Sequence, residues 1–351
     1  MAQTELIPVM SKVTVLMPVF NAASYVRKAI RSILNQTYSD LELLIVDDGS
    51  TDATQHIILS IKDQRIQYIE NTKNIGLAES LNKGLAIIDS EYIVRMDADD
   101  FCHRRRVEWQ VDFMDSRKEI GVSGTWLKTF GDWKTRGCSK YMTHPEDLKI
   151  CTFFRSPVAH ATVIIRNSVN RDNTLRYDPR FNRTEDYDLW ERIIGSVTFG
   201  NLPKVTYYYR RYPGSSTMVH SAEMMEQYQE IVARQLKRIG ITPNKDQFML
   251  HEKIGLQKNA GSLDELYAAE VWLKKIKRHA RTAGYRQTVL DNVLSQFWFH
   301  FCRNSALLGE EAARLCYNSE FFLDDSVTLQ EKMLFKAACY YHIGRKIIKA
   351  H

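Results

Sequence analysis

Between residues 12 and 100 the spacing of apolar positions switches repeatedly between two periods. Residues 12–19 form a β-rich apolar run that closes on Pro18 and Val19, and residues 24–36 repeat at helical spacing, with Ser24 placed as an N-cap. Residues 41–46 are apolar almost without a break, as in a strand buried on both faces. Residues 52–61 then read as a helix, 66–70 as a strand, 77–88 as a helix and 91–96 as a strand. Strands alternating with helices predict βαβ units, a parallel sheet and helices on both of its faces.

The pattern is less regular over residues 120–221, where strands are expected near 121–130, 161–166 and 205–210. A helix is expected to begin near Glu185 and to end before Gly195. Its Leu189, Trp190, Ile193 and Ile194 share one stripe, and Thr184 stands where an N-cap belongs. After about residue 221 only helical periodicity remains, broken at 240–243, 261–262, 284 and 309. The chain therefore divides into an α/β domain over 1–221, with a mixed sheet, and a helical region over 222–351.

The bulk properties exclude more than they assign. A formal net charge of +6 over 351 residues is too mild to argue for nucleic acid. No apolar run approaches the length of a membrane span. The first residues lack a basic-then-apolar leader pattern, so a cytoplasmic location is expected. Cys102, Cys138, Cys151, Cys302, Cys316 and Cys339 show no metal-ligand spacing and are expected to be reduced thiols.

Ligands of such sheets bind beyond the carboxyl ends of the strands. Three polar clusters fall there: Pro18-Val-Phe20-Asn21, Asp47-Asp48-Gly49-Ser50 and Asp97-Ala-Asp99-Asp100. In extended chain Asp97 and Asp99 face the same way, and two adjacent carboxylates call for a cation between them. Mg²⁺ and Mn²⁺ take oxygen ligands and commonly share one or two carboxylates with substrate phosphates. An Asp-x-Asp is also a common strand-end turn. Asp47 and Asp48 end a buried strand, where ionised groups need partners. Glu185 and Asp186 open a helix, where the dipole alone favours acids. A carboxylate there could equally take the proton of an attacking hydroxyl.

In order and separation, Pro18-Val-Phe-Asn21, Val46-Asp47-Asp48-Gly-Ser-Thr-Asp52, Asn74-Ile-Gly76 and Asp97-Ala-Asp99-Asp100 resemble the inverting family-two glycosyltransferases of GT-A fold. Pro157-Val-Ala-His160, Thr184-Glu185-Asp186 and Tyr208-Tyr-Arg210 extend the resemblance over roughly 12–215. It implies that Pro18 and Phe20 border a nucleotide pocket and that Asp48, with Asp47 beside it, recognises the base, typically uracil. Lys73 and Asn74 would contact the nucleotide. Asp97 would meet ribose or the metal-bound nucleotide, and Asp99 would be the principal ligand of Mn²⁺ or Mg²⁺, with Asp100 a weaker one. Asp186, or else Glu185, would be the general base. His160 and Trp190 would lie on the acceptor side. The segment after the core offers His220 as a late metal ligand or, instead, Arg210 or Arg211 to neutralise the diphosphate, a surface role for these arginines being the alternative.

The implied activity is transfer of a single hexosyl or N-acetylhexosaminyl group from a UDP-sugar. The acceptor would be a hydroxyl of a glycan or lipid-linked glycan, in assembly of a bacterial capsule, O-antigen or lipooligosaccharide. The alternative is a degenerate transferase that serves as a scaffold for a glycan-assembly complex. A dinucleotide-binding dehydrogenase is excluded, because no Gly-x-Gly-x-x-Gly follows a strand. A nucleotidylyltransferase is disfavoured by the absence of glycine from 17–23. Lys274, Lys275, Lys277, Arg278 and Arg281 interleave with Val271, Trp272, Leu273 and Ile276 on a predicted helix. That pattern fits a solvated face over a packed stripe, or a contact with anionic lipid headgroups. Peripheral membrane contact through 265–286 or 334–351, and a homodimer, are the expectations for the helical region.

Overall fold

The computed structural model describes residues 11–131, 136–171, 174–212, 221–323 and 327–341. Its contacts divide the chain into two units, one of 1–143 with 158–219 and one of 144–157 with 220–351. Residues 144–157, which the sequence pattern places with the sheet, thus group with the helical unit.

The first unit is built on one mixed sheet. Its strands are β1 (Val13–Val19), β2 (Leu41–Asp47), β3 (Ile66–Glu70), β4 (Tyr92–Arg95), β5 (Phe101–Cys102), β6 (Val122–Gly131), β7 (Gly137–Ser139), β8 (Ile164–Arg166) and β9 (Phe199–Arg211). Their order is β3-β2-β1-β4-β8-β6-β9-β5, with β7 paired to β6. The parallel arrangement expected from the alternating elements holds for β3, β2, β1 and β4. It ends where β8 joins β4 antiparallel, followed by β6 antiparallel to β8. β1 is buried at every position, which is why its sequence shows no alternation.

Between the strands lie helices α1 (Val26–Leu34), α2 (Thr54–Leu59), α3 (Leu77–Leu85), α4 (Arg106–Asp115), α6 (Ser168–Arg171) and α7 (Glu185–Ile193). α1 buries Val26, Ala29, Ile30 and Ile33, spaced i, i+3, i+4 and i+7, in the same core as Val13, Val15 and Leu43. Each buried valine, leucine or isoleucine among them contributes about 1.5–3 kcal/mol relative to exposure. Ser24 does not cap α1. Tyr25 holds the N-cap position without a side-chain bond, and the Ala22 carbonyl accepts the N–H groups of both Tyr25 and Val26. Thr184 likewise holds the N-cap position of α7 without a capping hydrogen bond from its side chain.

The helical unit comprises α5 (Pro145–Cys151), α8 (Ser221–Arg238), α9 (Lys245–Gly255), α10 (Leu263–Thr282), α11 (Gln287–Asn304), α12 (Glu310–Asn318) and α13 (Leu329–Tyr341). A capping box of Asn244 and Gln247 starts α9, and the Ser262 hydroxyl caps α10. No described helix is long and apolar enough to cross a membrane. All six cysteines are free thiols, and only Cys138 among them is exposed.

His251 is fully buried in this unit. Its Nδ1 accepts the Trp272 indole N–H at 3.1 Å, so Nε2 carries the proton and donates to the Phe153 carbonyl at 2.8 Å. The neutral ring is satisfied, and a second proton would point at an N–H. Burial accordingly lowers its pKa to about 4. The unfolded chain binds that proton more readily, so His251 contributes stability above pH 6.5 that is lost as pH falls toward 4. The expected loss is about 3 kcal/mol across that window. Thermal melting from pH 7 to pH 4 checks it, and a Tm indifferent to that range would refute the assignment.

Candidate active site

The parallel register brings the ends of β1, β2 and β3 level, with Val19 opposite Asp47 and Asp47 opposite Glu70. The loops that leave these ends bind one another. Asn21 takes a positive φ of 47° and accepts the Thr51 N–H, while its own N–H donates to Ser50 Oγ. Gly49 has φ +71°, and a Cβ there would lie 2.7 Å from the backbone of Lys73. A glycine is required at that position by both conformation and space.

Asp47 and Asp48 find the partners that buried acids need. Asp47 accepts from the Ser50 N–H and the Tyr68 hydroxyl, each at 2.9 Å. Asp48 accepts from Asn71 Nδ2 and from the N–H groups of Ile75 and Gly76, at 3.0, 2.8 and 2.9 Å. Roughly one of the four lone-pair sites of the Asp48 carboxylate then remains for a ligand. Pro18 is buried at the end of β1, whereas Phe20 is 47% exposed and Lys73 and Asn74 are exposed. An open aromatic ring and a lysine thus flank the acid-lined loops.

Past the end of β4 burial alternates: Asp97 and Asp99 are half-buried, while Ala98 and Asp100 are buried. The Asp97 carboxylate is ion-paired with Arg95, and its backbone N–H donates to the Tyr207 hydroxyl at 3.1 Å. Asp99 is approached by the Tyr212 hydroxyl at 3.4 Å, while its carbonyl accepts Arg210 Nε at 2.7 Å. Asp100 Oδ1 accepts the Arg210 N–H, and its Oδ2 is buried without a partner. Burial, then the charge of Asp97, raises the pKa of both Asp99 and Asp100. Two acids held above the ordinary carboxylate range, with one oxygen of Asp100 unsatisfied, suit a divalent cation. Among the described residues no three His, Cys, Asp or Glu converge as a complete cage. His220 lies outside the described residues.

Glu185 and Asp186 open α7, where the helix dipole favours negative charge. Glu185 is buried 3.5 Å from His160 Nδ1, and Asp186 is the more exposed of the two. His160 Nε2 shares a hydrogen bond of 2.8 Å with the Tyr177 hydroxyl. Burial, then Arg95, pushes the His160 pKa down to about 3, so the ring is neutral. Burial pushes Glu185 up to about 7 and raises Asp186 as well. Trp190 packs edge-on to His160 and Phe199, fully buried, with its indole nitrogen unpartnered. Its ring therefore offers no open face to an acceptor.

Arg95 is the residue that sequence reasoning missed. It is 4% exposed, and its Nε has no hydrogen-bond partner. Its charge acts on Asp99, Glu185 and Asp186 alike, lowering the pKa of each, and it pairs directly with Asp97. The signal was a lone cation at the end of the otherwise apolar strand Tyr92–Arg95, which demands a buried counter-charge.

The site thus combines a mixed α/β sheet, an acidic edge beyond its strand ends and a second carboxylate pair at a helix start. The Glycosyl transferase family 2 model matches residues 14–173. A UDP-Glc:alpha-D-GlcNAc-diphosphoundecaprenol beta-1,3-glucosyltransferase of Escherichia coli is 30% identical over 235 residues, 66% of this chain and 88% of that one. An uncharacterized glycosyltransferase of Haemophilus influenzae is 29% identical over 276 residues, 76% of this chain and 83% of that one. The crystal structure of Staphylococcus aureus TarS 1–349 with UDP-GlcNAc superposes with a TM-score of 0.55 at 17% identity, covering 93% of this chain and 91% of that one; the likeness establishes the fold. The chain belongs to glycosyl transferase family 2.

Proposed function

We propose that the protein is a metal-dependent, inverting transferase that moves one sugar from a UDP-sugar to a hydroxyl of a glycan or lipid-linked glycan during surface-polysaccharide assembly. The observation that carries this reading is the pair of carboxylate groups, Asp97–Asp99 and Glu185–Asp186, coupled electrostatically through the buried Arg95. The Escherichia coli relative, named for a UDP-glucose donor and a lipid-diphosphate acceptor, supports the choice of donor and acceptor class.

The exposed ring of Phe20 would cover the base, and the free lone pair of Asp48 would accept a base N–H. Lys73 and Asn74 would line the same pocket. Asp99, with Asp97, would hold Mn²⁺ or Mg²⁺, which when bound offsets the charge that develops on the departing diphosphate. Arg210, whose guanidinium lies against the Asp99 carbonyl, would stand beside that diphosphate. Asp186 would take the acceptor proton as the hydroxyl attacks the anomeric carbon from the side opposite the leaving group. His160, neutral and fixed by Tyr177, would hold Glu185 in place on the acceptor side.

The reading is tested by screening UDP-, GDP-, dTDP- and CMP-sugars for thermal stabilisation and slow hydrolysis, each with Mn²⁺, Mg²⁺ or EDTA. Metal-dependent stabilisation by UDP and hydrolysis of one UDP-sugar are expected. No response to any nucleotide would instead favour a scaffold without catalysis.

A pH dependence follows from the base pair. The base must be ionised, so kcat should fall toward low pH along an acid limb lying above the ordinary carboxylate range, because burial raises Asp186. Part of the upward shift of Asp186 comes from the charge of Glu185. In Glu185→Gln that charge is gone, and the acid limb should move to lower pH. A limb that stays in place in the variant would show that Asp186 does not control it.

A further inference from the structure

Helix α10 presents one exposed face of mixed character. Tyr267, Val271, Lys274, Arg278 and Arg281 follow one another at spacings of four, three, four and three residues, which puts them on a single stripe, and all are exposed. Val271 is 66% exposed and Tyr267 47%. The opposite face of the helix, with Leu266, Ala269, Leu273 and Ile276, is buried and fixes the stripe outward. The stripe is therefore apolar at its first half and cationic at its second, with Asp264 and Glu270 along its flank.

The cations are unequally matched. Lys274 pairs with Glu270 at 2.9 Å, and the neighbouring Lys277 pairs with Asp291 and Glu320 at 2.7 and 2.8 Å. Arg278 and Arg281 have no ion pair among the described residues. Both line an open cavity of about 530 Å³ with Lys274 and Lys277. A second cavity of about 420 Å³ shares Arg278 and is walled by Ile239, Gly240 and Ala283. Cationic and apolar surface thus run into each other.

We infer that this face of α10 docks onto an anionic lipid surface, with the arginines taking lipid phosphates and Tyr267 and Val271 entering the headgroup layer. Charge complementarity names the phosphate. The adjoining apolar residues favour a lipid over a soluble polyanion, which would leave Val271 in water.

The test uses the full chain without nucleotide or acceptor, so it stands or falls separately from the catalytic reading. Sedimentation is measured with phosphatidylcholine vesicles and with vesicles in which about one third of the lipid is phosphatidylglycerol. Binding is expected to the anionic vesicles only, and to weaken as salt screens the cations. The charge reversals Lys274→Glu, Arg278→Glu and Arg281→Glu together should reduce partitioning at least about a hundredfold. All three positions are exposed, so circular dichroism should be unchanged, and melting temperature should fall only by the small contribution of the surface pair of Lys274 with Glu270. Tyr267→Ser with Val271→Ser should also weaken vesicle binding while leaving heparin binding as it was. Equal binding to neutral vesicles, or full binding by the charge-reversed variant, would overturn the inference. So would complete displacement by inorganic diphosphate with no effect of the serine pair, which would mark a site for soluble phosphate.

Discussion

Asp186→Asn is expected to lower kcat by about 10²–10⁴ while leaving stabilisation by UDP and metal intact. The substitution is nearly isosteric and removes only the capacity to accept a proton. Asp186 sits in the first turn of α7, where the helix dipole supports a negative charge, and it is more exposed than Glu185. Its raised pKa brings it closer to neutrality, where a general base works best. Glu185, buried against His160, is placed to hold a position rather than to meet an acceptor. Glu185→Gln should therefore cost less than Asp186→Asn. Single-turnover assays of both variants decide between the two acids. Near-normal turnover in Asp186→Asn together with collapse in Glu185→Gln would transfer the role to Glu185.

Much of this arrangement was legible in the chain. The change of apolar period located β1 to β4 and their helices, because a strand buried on both faces and an amphipathic helix leave distinct patterns. Gly284 and Gly309, both at positive φ, mark helix ends that the sequence also marked. Other features depend on contacts that no local pattern encodes. The antiparallel insertion of β8 and the attachment of 144–157 to the helical unit are set by long-range pairing. The acids at the end of β2 seemed to demand a ligand, yet Asn71 and the N–H groups of Ile75 and Gly76 supply most of what Asp48 needs. Those donors lie more than twenty residues away in sequence, on a loop whose path could not be foreseen. Trp190 was expected near an acceptor from its place in the motif, but the helix turns it into the core beside Phe199. Arg95 was hidden for the opposite reason: its buried pairing with Asp97 depends on how β4 is covered, which its own sequence does not encode.

Asp99→Ala should abolish metal-dependent stabilisation by UDP, a larger effect than loss of either neighbouring acid. The three carboxylates are not equivalent. Asp97 is already paired with Arg95, and Asp100 gives one oxygen to the Arg210 N–H and is buried. Asp99 is half-buried, and its carboxylate is approached only by the Tyr212 hydroxyl, at 3.4 Å, among the hydrogen bonds of the described residues. Its carboxylate is thus the one most available to a cation. With UDP and Mn²⁺ at about a hundredfold their Kd, the wild-type chain should gain about 2.7 kcal/mol of apparent stability. Asp99→Ala should show almost none of that gain, although the apo variant should be no less stable, since removing Asp99 relieves repulsion with Asp97. Asp100→Asn should keep most of it. Arg95→Met provides the counter-test, because it frees Asp97 while leaving that acid and the coupled Glu185 without their cation. It should destabilise the apo protein, since a carboxylate that loses its buried partner is left uncompensated. An Asp99→Ala protein that still responds to UDP only when Mn²⁺ is present would place the metal on other residues and sink the assignment.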